Sequence, residues 1–260
     1  MHLSLDGKRA LVCGASRGIG RAVAVALAGA GAEVVALARR AEALETLIRE
    51  LPAGGGRTHR SVTADMSDPE GLVGAVQAAL PGTVHVLVNN SGGPAPGPVR
   101  DAQPRAFVDA LTQHVVAAHR LAGLLLPGMR DAEYGRIINI ISTSVKQPIP
   151  GLGVSNTVRG AMASWAKTLA GEVAGEGITV NNVLPGATRT ERLDEILAVR
   201  AERSGFTVEE MAAAWAAEIP AGRFAAPEEI ASAVTFLASP AASYINGINL
   251  PVDGGRTGSL

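Results

Sequence analysis

Apolar residues fall into short runs separated by longer stretches in which they recur with helical spacing. The runs at 10–13, 33–38, 84–88 and 135–140 have the length and the Val, Ile, Leu and Ala content of strands buried on both faces. Residues 59–65 read as the third strand in order, and 177–181 lead into a sixth. Between them lie an Ala-rich helix at 21–30 and a helix at 41–51 that alternates Glu with apolar residues. Pro69 opens another helix, to about residue 80. Residues 101–129 read as one long helical stretch. A second long one, 155–175, has apolar positions spread round its circumference, which marks a helix buried on several sides. Strands that alternate with helices predict βαβ units. The expected fold is therefore α/β: a doubly wound, mainly parallel sheet with helices on both faces, Rossmann-type, in a single domain over residues 1–260.

The first strand breaks into a glycine turn, Gly14-Ala15-Ser16-Arg17-Gly18-Ile19-Gly20, and the first helix follows at once. Glycine lets backbone approach a pyrophosphate with no Cβ in the way, and the helix N-terminus behind it offers unpaired N–H groups. The spacing is G-x-x-x-G-x-G, not the commoner G-x-G-x-x-G. Strand, turn and helix together point to a dinucleotide, with Gly14, Ser16, Arg17, Gly18, Ile19 and Gly20 as its contacts. The second strand ends in Ala38-Arg39-Arg40. An acidic residue here would accept from a ribose 2′-OH; two guanidinium groups and no carboxylate suit a 2′-phosphate. NADP(H) is the expected cofactor, with NAD(H) possible, and Arg39 is its phosphate partner with Arg17 nearby.

Composition narrows the picture further. Apolar residues make up 47% of the 260 and aromatic ones only 3%, so small aliphatic side chains build the core. A net charge of −1 argues against a nucleic-acid or membrane-surface binder. No apolar run has transmembrane length, and the start, Met1-His2-Leu3-Ser4-Leu5-Asp6, lacks a signal-peptide pattern. The single cysteine, Cys13, sits in the first strand as a small core residue. These features fit a cytoplasmic protein. No Cys/His or paired-His spacing suggests a metal site.

Further motifs carry a specific resemblance. The fourth strand leads into Asn89-Asn90-Ser91-Gly92, the fifth strand is Gly135-Arg136-Ile137-Ile138-Asn139-Ile140, and the sixth is followed by Pro185-Gly186. Gly222-Arg223-Phe224, Pro227-Glu228-Glu229 and Val252-Asp253-Gly254-Gly255 come after, in that order. With the glycine turn, this series resembles the short-chain dehydrogenase/reductase family over almost the whole chain, nearest to beta-ketoacyl carrier-protein reductases. The resemblance implies an oxidoreductase that reduces a carbonyl, 3-oxoacyl-like or another ketone, or oxidises the alcohol. It implies cofactor contacts at Asp65 (towards the adenine), Met66, Asn89, Asn90 and Gly92, and at Pro185, Gly186, Thr188 and Thr190 after the sixth strand. It also implies a homo-oligomer, tetramer or dimer, built on the two long helices, and a variable substrate lid at about 188–222.

The family's chemistry uses a Ser, a Tyr, a Lys four residues after the Tyr, and an Asn on the preceding long helix. Ser142 matches the Ser. Thirteen residues later, where the Tyr belongs, stands Ser155, and the Lys position holds Arg159. Counting back from Arg120-Leu121, the Asn position holds His114. The two tyrosines, Tyr134 and Tyr244, lie elsewhere in the chain. Arg159 retains charge and can hydrogen-bond a ribose but cannot release a proton in a relay. The candidate catalytic residues are therefore Ser142, Ser155, Arg159 and His114. His114 is either a general acid acting through a water or a packing histidine, and Lys146 is either another donor or a solvated loop residue. Three readings stay open: a reductase with an altered proton route, a nucleotide-binding protein of the same fold with little or no turnover (a sensor or partner subunit), or a non-redox activity in the same pocket.

Overall fold

The computed structural model describes residues 3–259, apart from the Arg203 side chain. Met1 and His2, part of the N-terminal stretch read above, and Leu260 lie outside the described residues.

Seven parallel strands form one sheet in the order β3-β2-β1-β4-β5-β6-β7. They are β1 (Arg9–Cys13), β2 (Glu33–Ala38), β3 (Arg60–Thr63), β4 (Val86–Asn89), β5 (Gly135–Ile140), β6 (Ile178–Pro185) and β7 (Asn249–Val252). Winding starts at β1, runs outward to β3, then returns to β4 on the other side of β1. The order reverses between β1 and β4, which is where a doubly wound sheet opens a crevice at its strand C-termini.

Helices cover both faces. One face carries α1 (Gly18–Gly29), α2 (Ala41–Glu50) and α9 (Pro227–Ala238); Val23, Leu27, Leu44, Leu47, Ile230 and Val234 pack there against Val34, Val86 and Ile138. The other carries α3 (Pro69–Ala79), α5 (Ala117–Asp131) and α6 (Gly153–Val173), with Leu72, Val76, Leu121, Leu125, Ala166 and Ala170 against Leu11, Leu87 and Val180. Alternate residues of one strand thus feed two separate cores, which is why the central strands read as unbroken apolar runs. Cys13 is fully buried, and burial pushes its thiol up to about 12.

One polar feature crosses this interior. Asn89, Asn139, Asn182 and Asn249 are register partners on β4, β5, β6 and β7. Each side-chain amide donates to the next carbonyl oxygen, at 2.8 Å in all three links. Buried amides are stable only when bonded, and a chain of them running one way polarises each member.

The expected single helix over 101–129 is broken. A 3₁₀ turn, Val99–Asp101, comes first. Then α4 (Pro104–Leu111) passes through a π turn, Thr112–Val116, into α5. Pro104 supplies a helix start inside the predicted span, and the extra residue of the π turn is invisible to a pattern of period 3.6.

Candidate active site

The crevice at the β1/β4 reversal is a cleft of about 690 Å³. Its floor is the turn after β1. Gly14 and Gly18 hold positive φ, 62° and 53°, and a Cβ on Gly20 would stand 2.2 Å from the Gly14 carbonyl oxygen. The turn closes this tightly only with glycine at those positions. Asn90, at the end of β4, donates through Nδ2 to the carbonyls of Cys13 and Gly14 at 3.3 and 3.4 Å. Behind the turn, α1 begins at Gly18 with no side-chain cap and no acidic residue in its first turn. Its first N–H groups therefore remain available to an anion, so the turn fits a bound pyrophosphate.

Gly14, Ser16, Arg17, Gly18 and Ile19 line this cleft, as do Arg39, Asp65, Met66, Asn90, Gly92 and Thr190. Gly20 lies behind the turn, and Asn89 and Arg159 face a smaller inner pocket. Pro185, Gly186 and Thr188, at the end of β6 and just after it, are not part of the cleft wall; the Thr188 hydroxyl donates to the Gly186 carbonyl at 3.0 Å.

Three guanidinium groups stand at the β2 end of the cleft. Arg17 bonds Glu191 at 2.6 Å and lies 3.9 Å from Glu195; Arg39 lies 3.7 Å from Asp65; Arg40 lines the wall beside them. The Ser67 backbone N–H holds the Asp65 carboxyl below its usual range, with Arg39 adding to it. Ala38 puts no carboxylate at the strand end. Glu191 and Glu195, in the first turns of the 188–222 segment, were not among the expected contacts. No local pattern announces them, because a turn 174 residues away in the chain brings Arg17 to Glu191.

Of the remaining candidates, His114 and Arg159 line the inner pocket, whereas Ser142 and Ser155 belong to neither wall. Ser142 follows β5; its Oγ accepts from the Ser144 N–H at 3.1 Å, so its own proton stays available to donate. Ser155 is half-buried in the first turn of α6. Arg159, one turn on, is only 8% exposed and donates through Nη1 to the Ile140 carbonyl at 3.1 Å. Burial pushes its pKa down to about 10.

His114 sits in the π turn, where the widened helix directs it inward. It shares a 2.8 Å hydrogen bond between Nδ1 and the Ser91 Oγ. Ser91 was not among the expected contacts.

Burial, then the Arg159 charge, lower the His114 pKa from 6.5 to about 3, against a smaller opposing influence of the Gly92 backbone. His85, at the far end of the sheet, is lowered to about 4 by burial and by Lys8 and Arg9. Both pKa values are depressed in the folded state, so the unfolded chain takes up protons first. Stability is complete above about pH 6.5 and is lost as pH falls towards 4 and then 3, each neutral histidine contributing at most about 1.4 kcal/mol per pH unit. The urea midpoint should therefore drop between pH 7 and pH 5, and His114→Gln should flatten that drop. A midpoint that stays level over this interval contradicts the neutral, buried histidines.

Residues 188–222 form two helices, α7 (Glu191–Ser204) and α8 (Val208–Ala217). Thr190 caps α7 through the Leu193 N–H, and Thr207 with Glu210 forms a capping box on α8. Leu193, Leu197, Trp215, Ile219 and Phe224 give the pair its own apolar cluster. This segment overhangs the cleft through Thr190, Glu191, Arg192 and Glu195. Among the described residues no helix is long and apolar enough to cross a membrane.

The family model described as enoyl-(acyl carrier protein) reductase matches residues 14–257. The 3-oxoacyl-[acyl-carrier-protein] reductase of Vibrio cholerae is 34% identical over 255 residues, 97% of this chain and 98% of that protein. The L-sorbose reductase of Gluconobacter frateurii, solved with NADPH and L-sorbose, superposes with a TM-score of 0.93 at 33% identity, over 100% of both chains. A solved short chain dehydrogenase/reductase family protein matches with a TM-score of 0.84 at 34% identity, over 98% of each chain.

Proposed function

The chain belongs to the short-chain dehydrogenase/reductase family, and from that premise we propose that it is an NADP(H)-dependent oxidoreductase that reduces a carbonyl, 3-oxoacyl-like or another ketone, or oxidises the matching alcohol. The observation that carries this reading is the β2 end of the cleft, where Arg17, Arg39 and Arg40 gather and Ala38 offers no carboxylate to a ribose 2′-OH. Titration with NADPH and NADH, followed by a carbonyl panel on the same sample, tests it: NADPH should bind more tightly, and equal affinities or no binding would count against the reading.

The glycine turn and the first N–H groups of α1 would hold the pyrophosphate of NADP(H), which would supply or accept the hydride. Ser142 donates a hydrogen bond to the substrate carbonyl oxygen and orients it, and the proton that the reduced oxygen takes up comes from water. Ser155 ends short of where a phenol would reach, and a water bonded to it fills that space. Arg159, one helical turn after Ser155 and bonded to the Ile140 carbonyl at the end of β5, keeps a positive charge that favours negative charge developing on the oxygen. Ser142→Ala should then lower kcat/KM by roughly 10²–10³-fold, as removal of an oxyanion donor does. Ser155→Ala should lower it less than about tenfold, because a water loses only one of its partners. Total loss in Ser155→Ala with Ser142→Ala unaffected would refute these roles.

The α7–α8 segment is the substrate lid in this reading. The two long helical stretches form the face of a homodimer or homotetramer, which sedimentation equilibrium checks; Val108 and Val116 are exposed there. A second reading, a cofactor-binding protein with little or no turnover, draws on Arg159. Its guanidinium turns inward to the Ile140 carbonyl and takes no part in the cleft wall.

A further inference from the structure

Met66, Asn90 and Ser91 border both the cleft and the inner pocket behind it, whose volume is about 10 Å³. That is close to the room one water molecule needs. His114 and Asn89 line this pocket, each 5% exposed. Their outer polar ends are engaged, Nδ1 of His114 with Ser91 and Nδ2 of Asn89 with Asn139. Their remaining polar atoms, His114 Nε2 and Asn89 Oδ1, are buried without a hydrogen-bond partner among the described residues.

The protonation of the ring follows from its surroundings. A neutral imidazole carries one ring N–H, and the ring nitrogen with a hydrogen-bond partner is Nδ1, against the Ser91 Oγ. Nε2 has no partner, which places that N–H at Nδ1. On the other side, the Arg159 guanidinium lines the same pocket, and its charge favours a bare lone pair at Nε2 over an N–H. Nε2 and Asn89 Oδ1 are then both acceptors. Lining one small pocket, they suit the two protons of one water.

We propose that the pocket is a one-water site: the water donates to His114 Nε2 and Asn89 Oδ1, holds His114 as the neutral Nδ1–H tautomer, and leaves the Ser91 hydroxyl free to donate into the cleft. Ser91 Oγ accepts from Nδ1–H, so its own proton points away from the ring. Ser91 becomes a donor for a carbonyl oxygen of the ligand in the cleft. This last step rests on the reading of the cleft as a reductase site; the water and the tautomer do not.

Two measurements on the ligand-free protein come first. Nitrogen NMR of labelled protein should show His114 protonated at Nδ1 and bare at Nε2 across pH 5–8. Diffraction should show one ordered water within hydrogen-bond distance of both His114 Nε2 and Asn89 Oδ1. A proton at Nε2, or no water bonded to both atoms, overturns the inference even if the protein turns over NADPH. Both results in a protein that binds no cofactor uphold the water site and remove the reductase reading.

Ser91→Ala and Ser91→Thr then test the donor. If the cofactor carboxamide is the acceptor, Ser91→Ala weakens NADPH binding about three- to tenfold. If the substrate carbonyl is the acceptor, NADPH affinity stays and kcat/KM falls by about that factor. In both cases Ser91→Thr, which keeps the hydroxyl, restores the parent value. Parent values of both quantities in Ser91→Ala overturn the donor role.

Discussion

Replacing Arg17 and Arg39 together with Ala is expected to weaken NADPH binding by roughly 10²–10⁴-fold and to leave NADH within about threefold. Each guanidinium can make a charge-assisted bond to a 2′-phosphate, and NADH has no such group. Both side chains are substantially exposed, 49% and 77%, so water and salt screen them and the low end of the range applies at physiological ionic strength. The effect should shrink further as salt is raised. In the free protein Arg17 is held by Glu191, whose carboxyl that hydrogen bond keeps below its usual range. An incoming phosphate must compete with that carboxylate. Glu191→Gln should therefore shift NADPH affinity the other way, tighter by about two- to fivefold. Calorimetric titration of the parent, the double variant and Glu191→Gln with both cofactors decides the matter; a double variant that loses both cofactors equally would show that the arginines only hold the turn together.

The other large change is expected from Ser155→Tyr combined with Arg159→Lys. Positions 155 and 159 share one face of α6, so the pair returns a phenol and an ammonium to neighbouring turns. A phenol near pKa 10 beside a cation can act as a general acid near neutral pH, as a Ser hydroxyl cannot. General acid catalysis contributes roughly 10²–10⁴-fold, and turnover of simple ketones should rise by about that much. The carbonyl that the parent itself reduces best should be turned over more slowly, because the phenol takes the space of the water on Ser155. A rise on simple ketones from a parent that reduces no carbonyl at all would instead select the binding-protein reading. NADPH affinity must be measured alongside, since Arg159→Lys also removes the donor to the Ile140 carbonyl. A double variant that binds NADPH normally and changes on no substrate would mean that neither reading of this pocket is right.

The elements with strong local physics were legible in the chain. β2 and β5 have the bounds expected from their apolar runs, and α1, α2, α3 and α6 begin or end within a few residues of theirs. The glycine turn was legible for the same reason: a positive φ and a close backbone approach leave glycine as the residue, so the residue reports the geometry. The arginines after β2 and the Ser142, Ser155 and Arg159 positions could be placed by counting from such fixed points.

Where side chains point across the fold was not legible. The π turn that carries His114 inward adds one residue to a helix without changing its apolar pattern. The four-strand asparagine ladder depends on register, and no one strand records the register of its neighbours. Arg159 could be assigned a position but not a direction; only the packed interior turns it to Ile140 and away from the cleft. The chain by itself determined a doubly wound sheet with a dinucleotide turn, because periodicity and glycine geometry are local properties of the backbone. Tertiary structure alone decided that Ser91 meets His114, that Arg17 meets Glu191, and that a pocket the size of one water lies between His114 and Asn89. Those contacts join segments far apart in the chain, and their geometry exists only once the sheet has brought its strand ends together.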